Sequence, residues 1–286
     1  MIKFSKFPKA IEIQTTSYCN AQCIACPHKT VSKNLNMGNM NNDLFIKILN
    51  EINNKEILFI PYLNGEPFLD PLFFQRLDLI KKKCPNARIE ISTNLSQLSK
   101  EKIKKLSNYK IAELRLSVFG FNKDLHKKMM PGLDWYNVKK NLDFLVGNKK
   151  IRKNIEKIGL VMLEFPGIKE EEFNLARDFC KKHDIEFNLW GFLDRAGNVD
   201  KYSNKINNKK VKGCSQNRPI ERLHVDFEGN VILCCQDWKR EYILGNVNDA
   251  SILEIWNSKK FNKIREDISG KGNTPELCRK CLLAEK

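Results

Sequence analysis

Three cysteines near the beginning of the chain have the residue type and spacing of a metal-binding loop. Cys19, Cys23 and Cys26 form the pattern C-x3-C-x2-C. A loop this short can place three thiolates on one face of an iron–sulfur cube, which leaves one iron of a four-iron cluster without a protein ligand. An open coordination position indicates reaction chemistry, because a substrate or cofactor can occupy it. Zinc is the alternative, with His28 as a fourth ligand.

A second group of cysteines lies in the last quarter of the chain. Cys214 precedes a predicted hairpin, and Cys234 lies on its returning strand in a G-x4-C pattern. Cys278 and Cys281 form a C-x2-C pair. Four thiolates from three segments can hold together a unit too small to be stabilised by apolar burial alone. The pattern fits either a second iron–sulfur cluster or a zinc ribbon.

Three cysteines remain outside these groups. Cys235 follows Cys234, and neighbouring residues on a strand point to opposite faces, so we expect Cys235 to lie outside the second cluster. It either packs as an apolar residue or serves as a hydrogen-atom donor or alternative ligand. Cys84 and Cys180 fall near helix ends and are expected to be small buried hydrophobic residues.

Alternating strand and helix patterns surround the first cysteine loop. Six β-rich segments are separated by apolar residues at helical spacing. The strands are predicted at Ala10–Gln14, Ile57–Leu63, Arg88–Ser92, Glu113–Val118, Ile158–Leu163 and Glu186–Trp190, with Pro61 weakening the second. This alternation predicts an α/β fold with parallel strands and right-handed crossovers. Sites in parallel α/β barrels are built at the carboxyl ends of the strands.

Polar segments follow three of these strands. Asn64–Pro67 closes the second strand, Ser92–Asn94 the third and Ser117–Gly120 the fourth. All three should lie on the same rim as the cysteine loop. A zwitterionic nucleoside needs such a rim, with a carboxylate for its ammonium group, N–H groups for its carboxylate, and hydroxyls or amides for its ribose. Each residue taken singly is equally compatible with an ordinary turn.

The strand–helix pattern stops near residue 200. Tyr202–Lys210 is polar and predicts a linker, so we place the first domain at 1–200 and the second at 201–286. Within the second domain, Leu223–Phe227 and Val231–Cys234 flank a glycine-containing turn and predict a β-hairpin. A helix is predicted from Ser251 to Asp267.

Composition narrows the class of protein. The 286 residues are 42% hydrophobic and 29% charged, as in ordinary globular proteins, and contain no apolar run that could cross a bilayer and no secretory signal. We therefore expect a cytoplasmic protein whose ten cysteines are reduced, so that clustered cysteines indicate metal or redox chemistry. The net charge of +16 comes from scattered lysines without interleaved aromatic residues, which argues against a nucleic-acid partner. A zinc-stabilised nucleic-acid-binding protein is the alternative from another class.

From Ala10 to Trp190 the chain resembles the radical S-adenosylmethionine (SAM) superfamily. In that family the three-cysteine loop of a partial (β/α)6 barrel binds a [4Fe-4S] cluster. The amino and carboxylate groups of SAM chelate the open iron, and one electron cleaves SAM to methionine and a 5′-deoxyadenosyl radical. The resemblance therefore implies a [4Fe-4S] cluster and SAM as cofactors of this chain.

The same resemblance implies which residues bind SAM. The family has Gly-Gly-Glu where this chain has Asn64, Gly65 and Glu66, which implies that Glu66 holds the SAM ammonium group. Asn94 and Ser117 match polar positions that line the methionine and ribose. The residue before the third cysteine is often an aromatic that touches adenine, and this chain has alanine there instead. The adenine contact must then come from elsewhere.

The C-terminal cysteines resemble the SPASM/twitch extension of radical SAM enzymes, from about Val211 to the end. A full SPASM domain binds two auxiliary clusters, but this chain has cysteines for one. The resemblance implies the shortened twitch form, a small cysteine-rich α+β domain in which Cys214, Cys234, Cys278 and Cys281 hold one auxiliary [4Fe-4S] cluster. With four protein ligands, such a cluster passes electrons and does not bind substrate.

Together these resemblances imply a radical SAM oxidoreductase. The architecture is similar to that of 2-deoxy-scyllo-inosamine dehydrogenase-type enzymes, which implies oxidation of an alcohol of a sugar or aminocyclitol, with the auxiliary cluster as electron acceptor. Reduction of the first cluster implies a flavodoxin- or ferredoxin-type donor. The alternative is a peptide-modifying enzyme that forms thioethers or epimerises residues, with Cys235 as hydrogen donor.

Four further residues have less specific signals. Arg195, just past the sixth strand, binds substrate, accepts a proton or forms a salt bridge. Asp237 and Trp238 either face the active site or hold the hairpin to the barrel. His126 is expected on an exposed helix face.

Overall fold

Six parallel strands form the centre of the protein. The computed structural model describes residues 4–199, 206–207 and 210–286. The strands are β1 (Ala10–Ile13), β2 (Leu58–Ile60), β3 (Arg88–Thr93), β4 (Ile111–Ser117), β5 (Ile155–Glu164) and β6 (Glu186–Gly191). Each pairs in parallel with the next along the chain. This order, with helical connections, is the partial (β/α)6 barrel expected from the sequence.

Helices connect these strands and pack against the sheet. They are α1 (His28–Val31), α2 (Asn42–Ile52), α3 (Phe73–Lys83), α4 (Lys100–Leu106), α5 (Lys123–Met129), α6 (Trp135–Gly147), α7 (Lys149–Arg152) and α8 (Glu170–His183). Helix α2 shows why such a segment becomes a helix and packs on the sheet. The Asn41 side chain accepts a hydrogen bond from the backbone N–H of Asp43, and Leu44, Ile48 and Ile52 are buried on one side. Capping begins the helix, and spacing of three to four residues attaches it to the core.

The C-terminal region extends the same sheet. Its elements are β7 (Gly213–Cys214), α9 (Arg218–Glu221), β8 (Arg222–Val225), β9 (Asn230–Ile232), β10 (Ile243–Asn246), α10 (Ile252–Trp256), α11 (Lys259–Glu266), α12 (Glu276–Arg279) and β11 (Ala284–Glu285). Strand β8 lies parallel to β1, and β9 and β10 continue antiparallel, giving the order β10-β9-β8-β1-β2-β3-β4-β5-β6. Because β1 uses both of its edges, β6 cannot pair with it, and the barrel stays open on that side.

One of the predicted elements is present as expected, and two others have different bounds in the structure. The predicted hairpin is present as β8 and β9. The second strand ends at Ile60, before Pro61, which cannot donate to a strand ladder. The prediction of a single helix from Ser251 to Asp267 is wrong, because the Ser258 side chain accepts from Phe261 N–H and begins a second helix.

Most of the predicted linker lies outside the described residues. Within the described residues, no helix combines the length and apolar character needed to cross a bilayer.

The expectation for His126 is wrong. Its side chain is fully buried, and its ring lies 5.1 Å from the ring of Trp135. The cause is the close approach of Gly120, where a Cβ atom would lie 2.4 Å from His126 N. Helix α5 is therefore drawn against the barrel, and the lysines beside His126 cover only its outer face.

Candidate active site

The first cysteine loop lies directly after β1 and is held by backbone hydrogen bonds. On either side of Cys23, Gln22 N–H donates to Pro131 O (2.7 Å) and Ile24 N–H donates to Met129 O (3.0 Å). Met129 is the last residue of α5, and Pro131 lies just after it. The loop is therefore fixed on both sides of its central cysteine without using any thiol.

The three thiols of this loop fit a metal cluster. Burial raises the pKa of the Cys19 thiol to about 12, and burial and its two neighbours raise that of Cys23. Burial also raises the pKa of Cys26. Three partly buried thiols that lie close together need a bound cation to become thiolates, and iron would supply it. His28 Nε2 is 2.8 Å from Ser17 O, a contact that does not involve a metal.

The segment after β2 adjoins this loop, and Gly65 makes the approach possible. A Cβ atom at Gly65 would lie 2.4 Å from Thr16 O and 3.1 Å from Tyr18 O. The next residue, Glu66, donates its backbone N–H to Tyr18 O (2.9 Å). Only glycine lets the end of β2 reach the cysteine loop here.

The Glu66 carboxylate is buried, and hydrogen bonds fix its orientation. It accepts from Thr93 Oγ1 (2.7 Å) and Asn94 N–H (2.8 Å) at the end of β3, and from Phe68 N–H (3.3 Å). Burial raises the pKa of Glu66 to about 7, although the hydrogen bond from Asn94 opposes the shift. A cation beside this carboxylate would favour its charged form, so the group fits an ammonium ligand.

Asn94 and Ser117 lie on the same rim. Asn94 Nδ2 donates to Asn20 Oδ1 (3.1 Å) inside the cysteine loop, and Asn94 Oδ1 accepts from Ser96 Oγ (2.6 Å). Ser117 Oγ is 3.3 Å from Ser92 Oγ, which pairs the ends of β4 and β3. The structure thus brings together the predicted SAM-binding residues and the three cysteines, although the amide of Asn94 already has partners in the chain.

The second group of cysteines surrounds one cavity. Cys214, Cys234, Cys278 and Cys281 all line it, together with mainly apolar residues. Pairing of β7 with β11 positions Cys214, while Cys278 and Cys281 lie at the end of α12. Burial, followed by the neighbouring Cys281 and Cys214, raises the pKa of Cys278. Four convergent thiols in an apolar pocket fit a four-thiolate metal cluster.

Cys235 lies apart from that cavity. Strand β9 ends at Ile232, so the expectation that Cys234 and Cys235 lie on the strand is wrong. In the described part of the chain, Cys234 lines the four-thiol cavity and Cys235 does not. Cys235 Sγ accepts from Arg218 Nη1 (2.9 Å), and its sulfur lies within 4.8 Å of ligand atoms of Glu12 and His224.

Arg195 lies between the two cysteine groups. It follows β6 in a left-handed backbone conformation (φ 55°). Burial raises the pKa of Cys26, and the backbone hydrogen bond from His28 and then the charge of Arg195 oppose this rise. With the Gln236 amide oxygen facing it, Arg195 Nη1 is 3.3 Å from that oxygen, and Arg218 Nη1 is 2.9 Å from the same atom. Sequence reasoning missed Gln236 and Arg218, whose only signal is their closeness to Cys235 and Cys214.

Asp237 and Trp238 hold the turn after the hairpin. The Asp237 carboxylate accepts from Glu241 N–H (3.0 Å) and Tyr242 N–H (2.9 Å). The Trp238 ring meets the His28 ring edge-on at 6.4 Å. The Trp238 contact attaches this turn to the first cysteine loop, whereas the bonds of Asp237 lie within the turn and Asp237 lines a cavity with Asp194 and Ala196. Cys84 and Cys180 are buried in the core.

Comparison with known families agrees with this arrangement of cysteines. A profile of the Radical SAM superfamily matches residues 13–180, and a profile of SPASM, an iron–sulfur cluster-binding domain, matches residues 214–282. The first match covers more than half of the chain, which therefore belongs to the radical SAM superfamily. Its cofactors are accordingly SAM, a [4Fe-4S] cluster and auxiliary iron–sulfur chemistry.

Individual relatives are more distant. The S-adenosyl-L-methionine-dependent 2-deoxy-scyllo-inosamine dehydrogenase of Niallia circulans is 24% identical over 276 residues, covering 95% of this chain and 91% of that protein. The structure of BtrN in complex with AdoMet and 2-DOIA is 18% identical, covers 98% and 94% of the two chains, and has a TM-score of 0.62. Streptococcus suis SuiB bound to precursor peptide SuiA is 15% identical with a TM-score of 0.70, over 98% of this chain and 71% of that one. These structural likenesses show the shared fold.

Proposed function

We propose that this protein is a radical SAM oxidoreductase that removes hydrogen from the carbinol carbon of a sugar or aminocyclitol. The observation that carries the proposal is the pairing of a three-thiol loop at the SAM rim with a separate four-thiol cavity. When bound, SAM and the first cluster supply a hydrogen-abstracting radical. An alcohol that loses this hydrogen still has to lose a proton and one electron to become a ketone.

The residues of the chain have separate roles in this reaction. Cys19, Cys23 and Cys26 would hold the first cluster, and the buried Glu66 carboxylate would hold the ammonium group of SAM. The four cysteines of the second cavity would hold the auxiliary cluster with no position free for substrate, so that cluster would accept the electron. Arg195 lies between the two groups, where it can contact the substrate.

The relatives support the reaction type. The named dehydrogenase matches this chain over nearly its whole length. The alternative is a peptide-modifying enzyme, supported by the likeness to SuiB and by Cys235, whose thiol lies outside the four-thiol cavity and could donate hydrogen. For the electron donor we propose a flavodoxin- or ferredoxin-type protein, since a net charge of +16 favours docking of an acidic partner.

Anaerobic turnover with SAM and dithionite tests the proposal. We expect 5′-deoxyadenosine from the wild type and none from Cys23→Ser, while Cys180→Ser, which changes a cysteine outside both groups, should retain it. With an alcohol deuterated at the carbinol carbon, the deuterium should appear in 5′-deoxyadenosine and the product should be a ketone. A colourless protein that contains only zinc would contradict the proposal. Deuterium uptake from solvent into a peptide, abolished by Cys235→Ala, would favour epimerisation instead.

A further inference from the structure

The contact between Arg195, Gln236 and Arg218 crosses the open side of the barrel. Arg195 follows β6 at one end of the sheet, and Gln236 follows β9 near the other end. Burial raises the pKa of Cys26 in the first cysteine loop, and the charge of Arg195 is near enough to oppose that rise, while Arg218 donates to Cys235 beside the second group. The three side chains therefore lie between the two cysteine groups, where a substrate has to be held.

Two positive charges meet at this place, and the Cys235 thiol lies beside only one of them, that of Arg218. With the Gln236 side-chain oxygen turned towards them, both guanidinium groups contact this one neutral amide oxygen, at 3.3 and 2.9 Å. Several other arginines pair with carboxylates, as Arg222 does with Glu12 and Arg115 with Glu90 and Glu113, whereas the buried Arg265 donates to carbonyl and amide oxygens. Among the described residues, neither Arg195 nor Arg218 has a carboxylate oxygen within 4.0 Å.

Arg195 also has an N–H donor that the described part of the protein does not use. Its Nε is buried and has no hydrogen-bond partner among the described residues. Arg218 differs, because the Cys235 sulfur lies 2.9 Å from its Nη1. Leaving a buried charged donor unpaired is costly, and two cations on one oxygen repel each other. An anionic group between them would pair with both, and the planar guanidinium suits carboxylate and phosphate oxygens.

We propose that Arg195 and Arg218 form a binding site for a carboxylate or phosphate group of the substrate. This inference rests on the proposed function and narrows its substrate class to acidic molecules, such as a sugar phosphate or sugar acid. The carboxylate of SAM is the other possible source of this chemistry. The residues assigned to SAM follow β2, β3 and β4, however, whereas Arg195 follows β6 and Arg218 precedes β8.

The strained backbone at Arg195 supports a functional role. Arg195 and Ala196 both have positive φ, at 55° and 54°, in a conformation that is unfavourable for residues with a side chain. Such strain persists where the surrounding structure holds it, and it is concentrated at ligand sites. Here it directs the chain after β6 towards Gln236 and not along the strand.

Binding measurements on the anaerobic, cluster-loaded protein test the site. With SAM saturating, calorimetric titration would compare inorganic phosphate, glucose 6-phosphate and glucose at constant ionic strength. We expect both anions to bind and glucose to bind at least about tenfold more weakly than glucose 6-phosphate. Arg195→Gln and Arg218→Gln should each weaken the binding of the anions by about tenfold or more, since each removes a charged hydrogen-bond partner.

Two control variants complete the design. Arg195→Lys keeps the charge and the same backbone strain, and should retain part of the anion affinity. Arg177→Gln changes an exposed arginine paired with Glu170 and should bind like the wild type. Equal affinity of the wild type for glucose and glucose 6-phosphate would overturn the inference. An Arg195→Gln protein that loses its affinity for SAM, or its iron, but keeps its affinity for the anions would also overturn the inference.

Substrate-free cleavage of SAM on the same preparations separates the two proposals. If the wild type cleaves SAM but shows no preference for anions, the substrate-class inference fails and the proposed function stands. If the wild type neither binds iron nor cleaves SAM, the proposed function itself fails, whatever the protein's preference for anions.

Discussion

At the scale of residues, Gly65 and Glu66 show how the end of β2 is joined to the cysteine loop. Backbone contact at Gly65 leaves no space for a methyl group, and the Glu66 carboxylate ties the same segment to Thr93 and Asn94. The position of the glycine is therefore as important to the site as the carboxylate that follows it. A change of one carbon atom should be enough to disturb the rim.

We expect Gly65→Ala to impair the site while the fold is retained. The new Cβ would lie 2.4 Å from Thr16 O, and overpacking of this kind typically costs about 1–3 kcal/mol. Equilibrium dialysis with SAM and iron analysis should show an affinity for SAM reduced by about tenfold or more, or loss of iron from the first group. Gly147→Ala is the matched control, because nothing lies within 4 Å of its Cβ position. Wild-type SAM binding by Gly65→Ala would contradict the close approach.

At the scale of elements, a buried ion pair fixes the turn that follows Glu66. Asp70 ends the 3₁₀ turn Pro67–Leu69, and its carboxylate accepts from Arg76 Nε of α3 at 2.7 Å, with both side chains fully buried. Arg76 Nη2 also donates to Met40 O (2.5 Å). The pair thus joins the segment after β2, which carries Glu66, to α3 and to the chain before α2.

Breaking this pair should destabilise the protein strongly. We expect Asp70→Asn to lower the free energy of unfolding by about 3–5 kcal/mol, because a buried guanidinium loses its counter-charge. The control is Glu156→Gln, which breaks the exposed Arg88–Glu156 pair and should cost less than about 1 kcal/mol. Denaturant unfolding under identical conditions measures both. Equal losses would show that the burial of Asp70 and Arg76 has no energetic consequence.

At the scale of the whole molecule, the two cysteine groups belong to regions that share one sheet. Strand β8 pairs with β1, and Glu12 of β1 faces Arg222 and His224 of β8, with Arg222 Nη1 2.9 Å and His224 Nε2 3.6 Å from Glu12 Oε1. Although burial opposes it, His224 and then Arg222 lower the pKa of Glu12 to about 2. This charged junction holds the second cavity in a fixed place relative to the barrel.

Metal content should divide between the two groups. We expect about eight irons per chain in anaerobically purified wild-type protein, from two four-iron clusters. Cys23→Ser and Cys278→Ser should each retain about four irons, because the thiols of one group are separate from those of the other. Iron and sulfide analysis together with the visible spectrum checks this. Loss of all iron in both variants would show that the two groups form one site.

Much of the fold and part of the site could be predicted from the sequence. The six strands and the two cysteine groups follow from local patterns, because strand and helix periods and short cysteine spacings are properties of neighbouring residues. His126 was misjudged because its burial depends on how closely the turn at Gly120, just before α5, approaches the helix, and the residue types alone do not give that distance. Gln236 and Arg218 could not be found from sequence patterns, since Gln236 contacts both arginines and its contact with Arg195 joins the segments that follow β9 and β6, which lie far apart in the sheet.

The amino-acid sequence by itself determined the chemistry of this protein, since the types and spacings of its cysteines limit which metals they can bind. The tertiary structure decided what lies between those cysteines. Strand β1 uses both edges, the barrel stays open beyond β6, and Arg195 reaches Gln236 across the gap. Ligand chemistry is a local property of side chains, whereas the charge of a cavity depends on which distant segments the fold brings together.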